Sequence, residues 1–259
     1  MIKAVFFDID GTLVSYETHR IPTSTKDALA ELQKKGIKTF IATGRPFAAV
    51  NNLEGIDFDG FITVNGAYCM TADKKTIYKK PIPSAQIQSF LDYQKLSGEI
   101  PCMAATEHGI HINQINKDVE DVFQLINFPS VEIKNLDEIA LQEVFQLVAF
   151  FKEDVESEIM NNVLPACEAA RWNPLFTDIV CKGISKQTGI DKVLEYYGLY
   201  LNEAMAFGDG GNDIQMLSHV PASVAMGNAL DVVKQAASYA TDSVDEDGIW
   251  KALKKFGVI

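Results

Sequence analysis

Short, largely apolar stretches, several closed by a polar or glycine-bearing turn, set the rhythm of the chain. Val5-Phe6-Phe7 opens it without alternation, the pattern of a strand covered on both faces in a parallel sheet. After a polar, turn-like stretch from Ser15 to Pro22, apolar residues recur at helical spacing as Ala28, Leu29 and Leu32. The spacing predicts a helix from about Thr23 that ends at Gly36. A second buried strand, Ile37 to Ala42, runs into Thr43-Gly44-Arg45-Pro46. Pro46 suits the first turn of a helix carrying Phe47, Val50 and Leu53. Gly60 to Val64 reads as a third strand, ending in Asn65-Gly66-Ala67.

From about Thr71 the texture changes. Lys79-Lys80-Pro81-Ile82-Pro83 looks like a linker, and Ser84 to Leu96 a helix. Strand-like pieces follow at Cys102 to Ala105 and Ile110 to Asn113, then a helix from Lys117 to Ile126. Val144 to Phe151 reads as a strand and Val155 to Leu164 as a helix. Two further strands, Glu168 to Trp172 and Phe176 to Cys181, close the section, which returns through Lys182-Gly183-Ile184-Ser185. The earlier rhythm then resumes. A helix from Ser185 presents Ile190, Val193, Leu194 and Tyr197, and a strand from Ala204 to Phe207 ends in Gly208-Asp209-Gly210-Gly211-Asn212-Asp213. A helix with Ile214, Met216 and Leu217, strands at Ala222 to Met226 and Tyr239 to Thr241, and a C-terminal helix complete the chain.

Strands joined through helices, with polar turns at the strand ends, indicate an α/β fold: a doubly wound parallel-sheet (Rossmann-like) core. The central section indicates an inserted α+β domain. The expected division is 1–82 with 184–259 for the core and 83–183 for the insert. Ligands of such sheets bind outside the carboxyl ends of the strands, where Asp8, Asp10 and Thr43 all fall.

Composition narrows the chemistry. A formal net charge of −12 over 259 residues argues against broad nucleic-acid binding, because duplex affinity comes largely from Lys and Arg neutralising phosphates. A phosphate-bearing ligand would need a local positive site, most simply a metal. The four cysteines (Cys69, Cys102, Cys167, Cys181) have neither zinc nor disulfide-framework spacing and are expected to be small buried residues. His108 and His111 lack partner ligands nearby and are expected to be structural or solvated. No stretch could span a bilayer and no cleavable leader precedes the first strand, so a soluble cytoplasmic protein is expected.

The candidate chemistry lies in two acidic strand ends. Asp8-Ile9-Asp10-Gly11-Thr12 places two carboxylates at i and i+2, expected on one side of an extended chain. Anions so close repel unless a cation sits between them or one holds a proton. The plain alternative is an acidic turn. Gly208-Asp209-Gly210-Gly211-Asn212-Asp213 is a second acidic strand end, where Asn212 or Asp213 could instead cap the next helix. A hard divalent cation with oxygen ligands would gather carboxylates from both ends of the chain, and Mg²⁺ typically takes only a few protein ligands.

These residues, with Thr43 in Ala42-Thr43-Gly44-Arg45 and with Lys186, resemble the four-motif set of the haloacid dehalogenase-like (HAD) phosphohydrolases. The likeness is closer still to the Cof-type branch that includes sugar-phosphate phosphatases. It covers the whole chain, with the insertion between the second and third motifs. It implies that Asp8 is the nucleophile forming an aspartyl-phosphate, and that Asp10 is general acid and then base. Mg²⁺ would be held by Asp8, the Asp10 carbonyl and Asp209, with Asp213 close behind. Thr43, Gly44, Lys186 and Asn212 would bind phosphate, and the insert would be a cap selecting the leaving group. Lys182-Gly183 mimics the family's Lys-Gly pair, but Lys186 opens an amphipathic helix whose free N–H groups suit phosphate. Arg45, Asn65, Arg171 and Trp172 are candidate substrate contacts, each with an ordinary turn or packing role as its alternative.

The implied activity is Mg-dependent hydrolysis of small soluble phosphate esters, foremost sugar (hexose) phosphates, with no nucleic-acid or membrane partner and no readable oligomeric state. A phosphomutase on the same scaffold, a phosphoryl receiver and a non-catalytic sugar-binding protein are the rival readings.

Overall fold

The structure is a computed structural model and describes residues 1–125 and 131–259, with the side chains of Leu125 and Trp172 also outside the description. Ile126, the predicted end of one helix, and the Trp172 side chain therefore lie outside the described residues.

The chain forms two compact units, Met1–Lys79 with Ser185–Ile259, and Lys80–Ile184. The first unit begins with β1 (Ala4–Phe7), α1 (Thr23–Lys34), β2 (Lys38–Ala42), β3 (Gly60–Thr63), β4 (Tyr68–Thr71) and β5 (Thr76–Lys79). The second holds α2 (Ser84–Ser97), β6 (Cys102–Thr106), β7 (Gly109–Ile112), α3 (Lys117–Leu125), β8 (Glu132–Ile133) and α4 (Leu136–Ile139). It continues with β9 (Val144–Ala149), α5 (Glu153–Glu158), β10 (Cys167–Asn173) and β11 (Phe176–Cys181). The first unit resumes with α6 (Lys186–Tyr197), β12 (Ala204–Gly208), α7 (Ile214–His219) and β13 (Ala222–Ala225). It ends with α8 (Asp231–Ala236), β14 (Tyr239–Ala240) and α9 (Gly248–Lys255).

The strand order in the first unit is β14-β13-β12-β1-β2-β3-β4-β5. It is parallel from β14 to β3. Side chains alternate across β1. Val5 and Phe7 pack with Leu29, Leu32, Ile249 and Leu253 on one face. Ala4 and Phe6 pack with Ile190, Val193 and Leu194 on the other. Helices therefore cover both faces, which is why β1 reads as an unbroken apolar run. Stacked rings tie the centre together: Phe6 on Phe40 at 5.0 Å and Phe7 on Phe207 at 5.2 Å between centroids. Truncating one such ring to Ala costs about 3–5 kcal/mol.

From β1 the chain winds outward to β2 on one side, and later returns to place β12 on the other. The order reverses between β1 and β12, and a crevice at their carboxyl ends is the expected ligand position. Asp8 and Asp209 follow these two strands directly.

The parallel centre is extended beyond β3 by an antiparallel hairpin of β4 and β5. One expectation is corrected: the helix predicted after Pro46 is only a single tight turn, Phe47–Ala49. Asn51-Asn52 are weak helix formers, and Glu54 and Gly55 adopt left-handed φ of 51° and 75°, which ends any helical path.

The second unit is α+β, with sheet order β10-β11-β9-β6-β7-β8, antiparallel except for β7 with β8. Phe90 of α2 packs with Ala104, Leu147 and Ile179. Val119 and Val122 of α3 pack with Met103 and Val148, residues of the opposite face. All four cysteines are buried free thiols, as their spacing suggested. No helix among the described residues is long and apolar enough to cross a membrane.

Candidate active site

β1 stops at Phe7, and Asp8 keeps only one ladder bond, its N–H donating to the Phe207 carbonyl at 3.0 Å. The chain then folds into a tight loop, with Val14 N–H on the Ile9 carbonyl and Gly11 N–H on the Val14 carbonyl, each at 2.8 Å. Asp8 and Asp10 are thus not successive outward residues of an extended strand. Asp8 is buried among other aspartates, whereas the Asp10 carboxylate accepts two bonds from Arg45: Nε to Oδ2 at 2.7 Å and Nη2 to Oδ1 at 2.8 Å. Asp10 stays near enough to the aspartate cluster to raise the pKa of Asp209. The Asp10 carbonyl, assigned to the metal by resemblance, accepts the Tyr16 hydroxyl at 2.8 Å.

Asp8 is instead gathered with Asp209 and Asp213. These three each offer a carboxylate oxygen within 4.8 Å of the others. Asp209 follows β12, the neighbour of β1. Gly11, at φ +86°, lies so close to Asp209 and Tyr16 that a Cβ there would collide with both. Thr12 Oγ1 donates to Asp209 Oδ1 at 2.7 Å, and Asn228 Nδ2 donates to Asp209 Oδ2 at 3.2 Å and to the Gly11 carbonyl at 2.9 Å. Asp213, with no exposure, accepts the backbone N–H groups of Asp209 and Gly210 on Oδ2, at 3.0 and 2.8 Å. Its carboxylate therefore shapes the loop that presents Asp209.

Lys186 enters through helix geometry. Ser185 caps α6 and forms a reciprocal box with Thr188, fixing where the helix begins. Lys186, Ile190, Val193 and Leu194 form its buried stripe. A side chain in the first turn leans past the helix N-terminus, so the ammonium of this fully buried lysine reaches the strand ends. There it donates to Asp8 Oδ1 at 2.5 Å and Asp213 Oδ1 at 2.6 Å.

The electrostatics follow from one ammonium among three buried carboxylates. Burial raises the Asp8 pKa well above the carboxylate range; Lys186 opposes this, and Asp213 and Asp209 add to it. Burial likewise lifts Asp209 to about 6, with the Thr12 hydrogen bond pulling down and Asp213 pushing up. Burial disfavours charge on Lys186, yet Asp213 and Asp8 outweigh it and its pKa lies above the usual lysine value. With every group ionised the cluster carries a formal −2. An all-oxygen donor set of that charge fits a hard divalent cation, with Asp8, Asp209 and Asp213 as the carboxylates that could hold it.

A second group of predicted residues meets beside this cluster. Thr43 continues from β2, and its buried Oγ1 accepts the Arg45 N–H at 3.1 Å, leaving its own proton to donate. Asn212 Nδ2 donates to Asn65 Oδ1 at 2.9 Å. A Cβ on Gly44 would sit 3.2 Å from Asn65 Oδ1 and 3.3 Å from Asn212 Nδ2, so the three residues are adjacent. The turn carrying Asn65 is strained: Val64, Asn65 and Gly66 have successive φ of 50°, 53° and 102°. For a β-branched residue such as Val64 this is a genuine outlier, and such strain clusters at functional sites.

The haloacid dehalogenase-like hydrolase family model matches residues 5–253. The chain belongs to that family. It is an enzyme, a phosphatase of the haloacid dehalogenase-like fold. The solved HAD subclass IIB sugar phosphatase BT4131 is 46% identical, covers 99% of this chain and 100% of its own, and superposes with a TM-score of 0.87. YkrA of Bacillus subtilis is 36% identical over 99% of this chain and 98% of its own. The 5-amino-6-(5-phospho-D-ribitylamino)uracil phosphatase YcsE of the same organism is 29% identical over 98% and 95%.

Within this haloacid dehalogenase-like hydrolase the remaining sequence candidates part company. Lys182 donates to the Pro165 carbonyl at 2.7 Å, so of the two lysines Lys186 is the one bonded to Asp8. Arg171 pairs with Glu156 at 2.8 Å and donates to the carbonyls of Phe151, Asn173, Pro174 and Phe176. Its guanidinium ties β10 and β11 to Glu156 of α5 and to the end of β9, the packing role named as its alternative. Thr12, beyond its turn, and Asn228 hold Asp209. Asn228 was missed by sequence reasoning, although Gly227-Asn228 follows the apolar run of β13 as a polar strand end.

Proposed function

We propose that this phosphatase is Mg²⁺-dependent and hydrolyses small phosphate esters, sugar (hexose) phosphates foremost, through an aspartyl-phosphate on Asp8. The observation that carries the reading is the meeting of Asp8, Asp209 and Asp213 around Lys186 at adjacent strand ends. The sugar class rests on the likeness to a sugar phosphatase over the full chain. The unit Lys80–Ile184 is the proposed leaving-group selector, and the cytoplasm, where buried thiols stay reduced, the proposed setting.

An Asp8 carboxylate oxygen attacks phosphorus, splitting one hard displacement into two easier ones. Lys186 fixes the attacking carboxylate and keeps a positive charge beside it. Thr43, Gly44, Asn65 and Asn212 offer hydroxyl, amide and backbone donors for the phosphoryl oxygens. Asp10 donates a proton to the departing oxygen, then takes one from the hydrolytic water. Held by Asp8, Asp209 and Asp213, Mg²⁺ would supply charge neutralisation between the anionic nucleophile and the phosphate.

The test is phosphate release from a panel of hexose phosphates, the ribitylamino-uracil phosphate and p-nitrophenyl phosphate, with Mg²⁺ or EDTA. Hexose phosphates should be the best substrates, EDTA should silence turnover, and Asp8→Asn should cut kcat on the order of 10⁶-fold, the scale of losing a nucleophile. Asp8→Asn with full activity would sink the reading. An isomerised sugar phosphate in place of free phosphate would turn it into a mutase.

A further inference from the structure

Arg45 is tied down along its whole length. Its N–H donates to Thr43 Oγ1 at 3.1 Å, and its carbonyl accepts the Val64 N–H at 3.1 Å. Its Nη1 donates to the Ala49 carbonyl at 3.0 Å, which fixes the plane of the guanidinium. Nε and Nη2 then face the Asp10 carboxylate as a two-pronged fork, at 2.7 and 2.8 Å. Both side chains are about one-third exposed, with 34% accessibility each, so the pair is a poor source of fold stability. Bidentate Arg–carboxylate pairs add orientation as well as energy. Asp10 sits on a loop, and among the described residues no other side chain bonds its carboxylate.

We propose that Arg45 is the positioning residue for Asp10: it orients that carboxyl group for proton transfer and acts through it rather than as a ligand of the substrate phosphate. The inference rests on Asp10 being the acid–base residue. In the first half-reaction Asp8 forms a bond to phosphorus, the ester P–O bond breaks, and the Asp10 proton moves to the departing oxygen. The Asp10 carboxylate left behind is the species the guanidinium fork fits. In the second half-reaction water attacks phosphorus, its proton passes to Asp10, and the P–O bond to Asp8 breaks. Interactions stronger in the transition state than in the ground state are those that accelerate a step, and the growing negative charge on Asp10 is such a target.

Leaving-group chemistry gives a readout that mere phosphate binding would not move. p-Nitrophenolate leaves without a proton, whereas a sugar alkoxide needs one. The probe is therefore the ratio of kcat/KM for a hexose 6-phosphate to that for p-nitrophenyl phosphate, measured in wild type, Arg45→Ala, Arg45→Lys, Asp10→Asn and the Arg45→Ala/Asp10→Asn double variant. Thermal melts establish that each variant is folded. We expect Arg45→Ala to lower the ratio by about 10–100-fold, within the range of general acid catalysis. Arg45→Lys, which keeps charge but loses the fork, should fall between. The Arg45 substitution should change nothing further once Asp10 is Asn. An equal loss on both esters, or an undiminished effect in the Asp10→Asn background, overturns the proposal. If Asp10→Asn itself leaves the ratio unchanged, the underlying acid–base reading fails instead, so the two failures are distinguishable.

Discussion

Lys186 shows how one residue can be both a stability element and a part of the chemistry. Its ammonium is wholly buried and bonded to Asp8 and Asp213, so removing it leaves two buried anions facing each other. Breaking a buried ion pair from one side typically costs 3–5 kcal/mol. We expect Lys186→Met to lose about that much at pH 7.5, by urea midpoints in EDTA, together with its turnover. The loss should shrink at pH 5, where the raised carboxylates take up protons and no longer need a counter-ion. An equal loss at both pH values would show that packing, not charge, is what the lysine supplies. This part of the site was legible: Asp8, Asp209 and Asp213 stand at strand ends, and Lys186 heads an apolar helical stripe. The partner of Asp10 was not, because the chain turns immediately after Phe7 and strand periodicity no longer says where a side chain points. Nor was Asn228, since a hydrogen bond from a loop amide leaves no periodic trace.

At the scale of elements, the strained Val64-Asn65-Gly66 turn after β3 packs against the start of α6. A Cβ on Gly66 would collide with the Ser185 carbonyl, the cap of the helix that carries Lys186. Gly36 offers a control, with a left-handed φ of 69° and no heavy atom within 4 Å of where a Cβ would stand. Gly36→Ala should therefore show only the backbone penalty of about 1 kcal/mol, a Tm drop of about 2–4 °C for a chain of this size, with activity intact. Gly66→Ala should lose more Tm than that and most of its turnover, read from melts and phosphate release. Matching behaviour of the two variants would mean that α6 need not be placed so closely. The same turn explains why the sheet was only partly readable. It reverses the chain within a few residues to start the β4–β5 hairpin, whose outer strand is exposed and short, without the buried apolar run that marked β1 and β2. Periodicity resolved the doubly wound centre because its strands are covered on both faces, and weakened toward the edge where they are not.

For the whole molecule the governing quantity is negative charge. A chain of net −12 concentrates three carboxylates against one ammonium at the carboxyl ends of its central strands. Folding brings these anions together, so without a cation the site opposes folding once they ionise. The sign follows from the raised values. Asp209, shifted from the usual 3.8 to about 6, favours the folded chain most fully below about pH 4, and that contribution fades as pH rises through 6. Its size is on the order of 3 kcal/mol. Asp8, also raised, acts in the same sense, whereas Lys186 stays charged throughout this window. A divalent cation binds the ionised carboxylates and competes with protons for them, and what binds only the folded state stabilises it by mass action. The rise in Tm on exchanging EDTA for excess Mg²⁺ should therefore be large at pH 7.5 and small at pH 5. Asp209→Asn should shrink the rise at pH 7.5 while leaving the cation-free chain more stable there than wild type. A rise independent of pH, or unaltered by Asp209→Asn, would place Mg²⁺ away from these aspartates. Differential scanning fluorimetry at the two pH values decides between these outcomes without any substrate, so it tests the charge argument independently of which ester the enzyme hydrolyses.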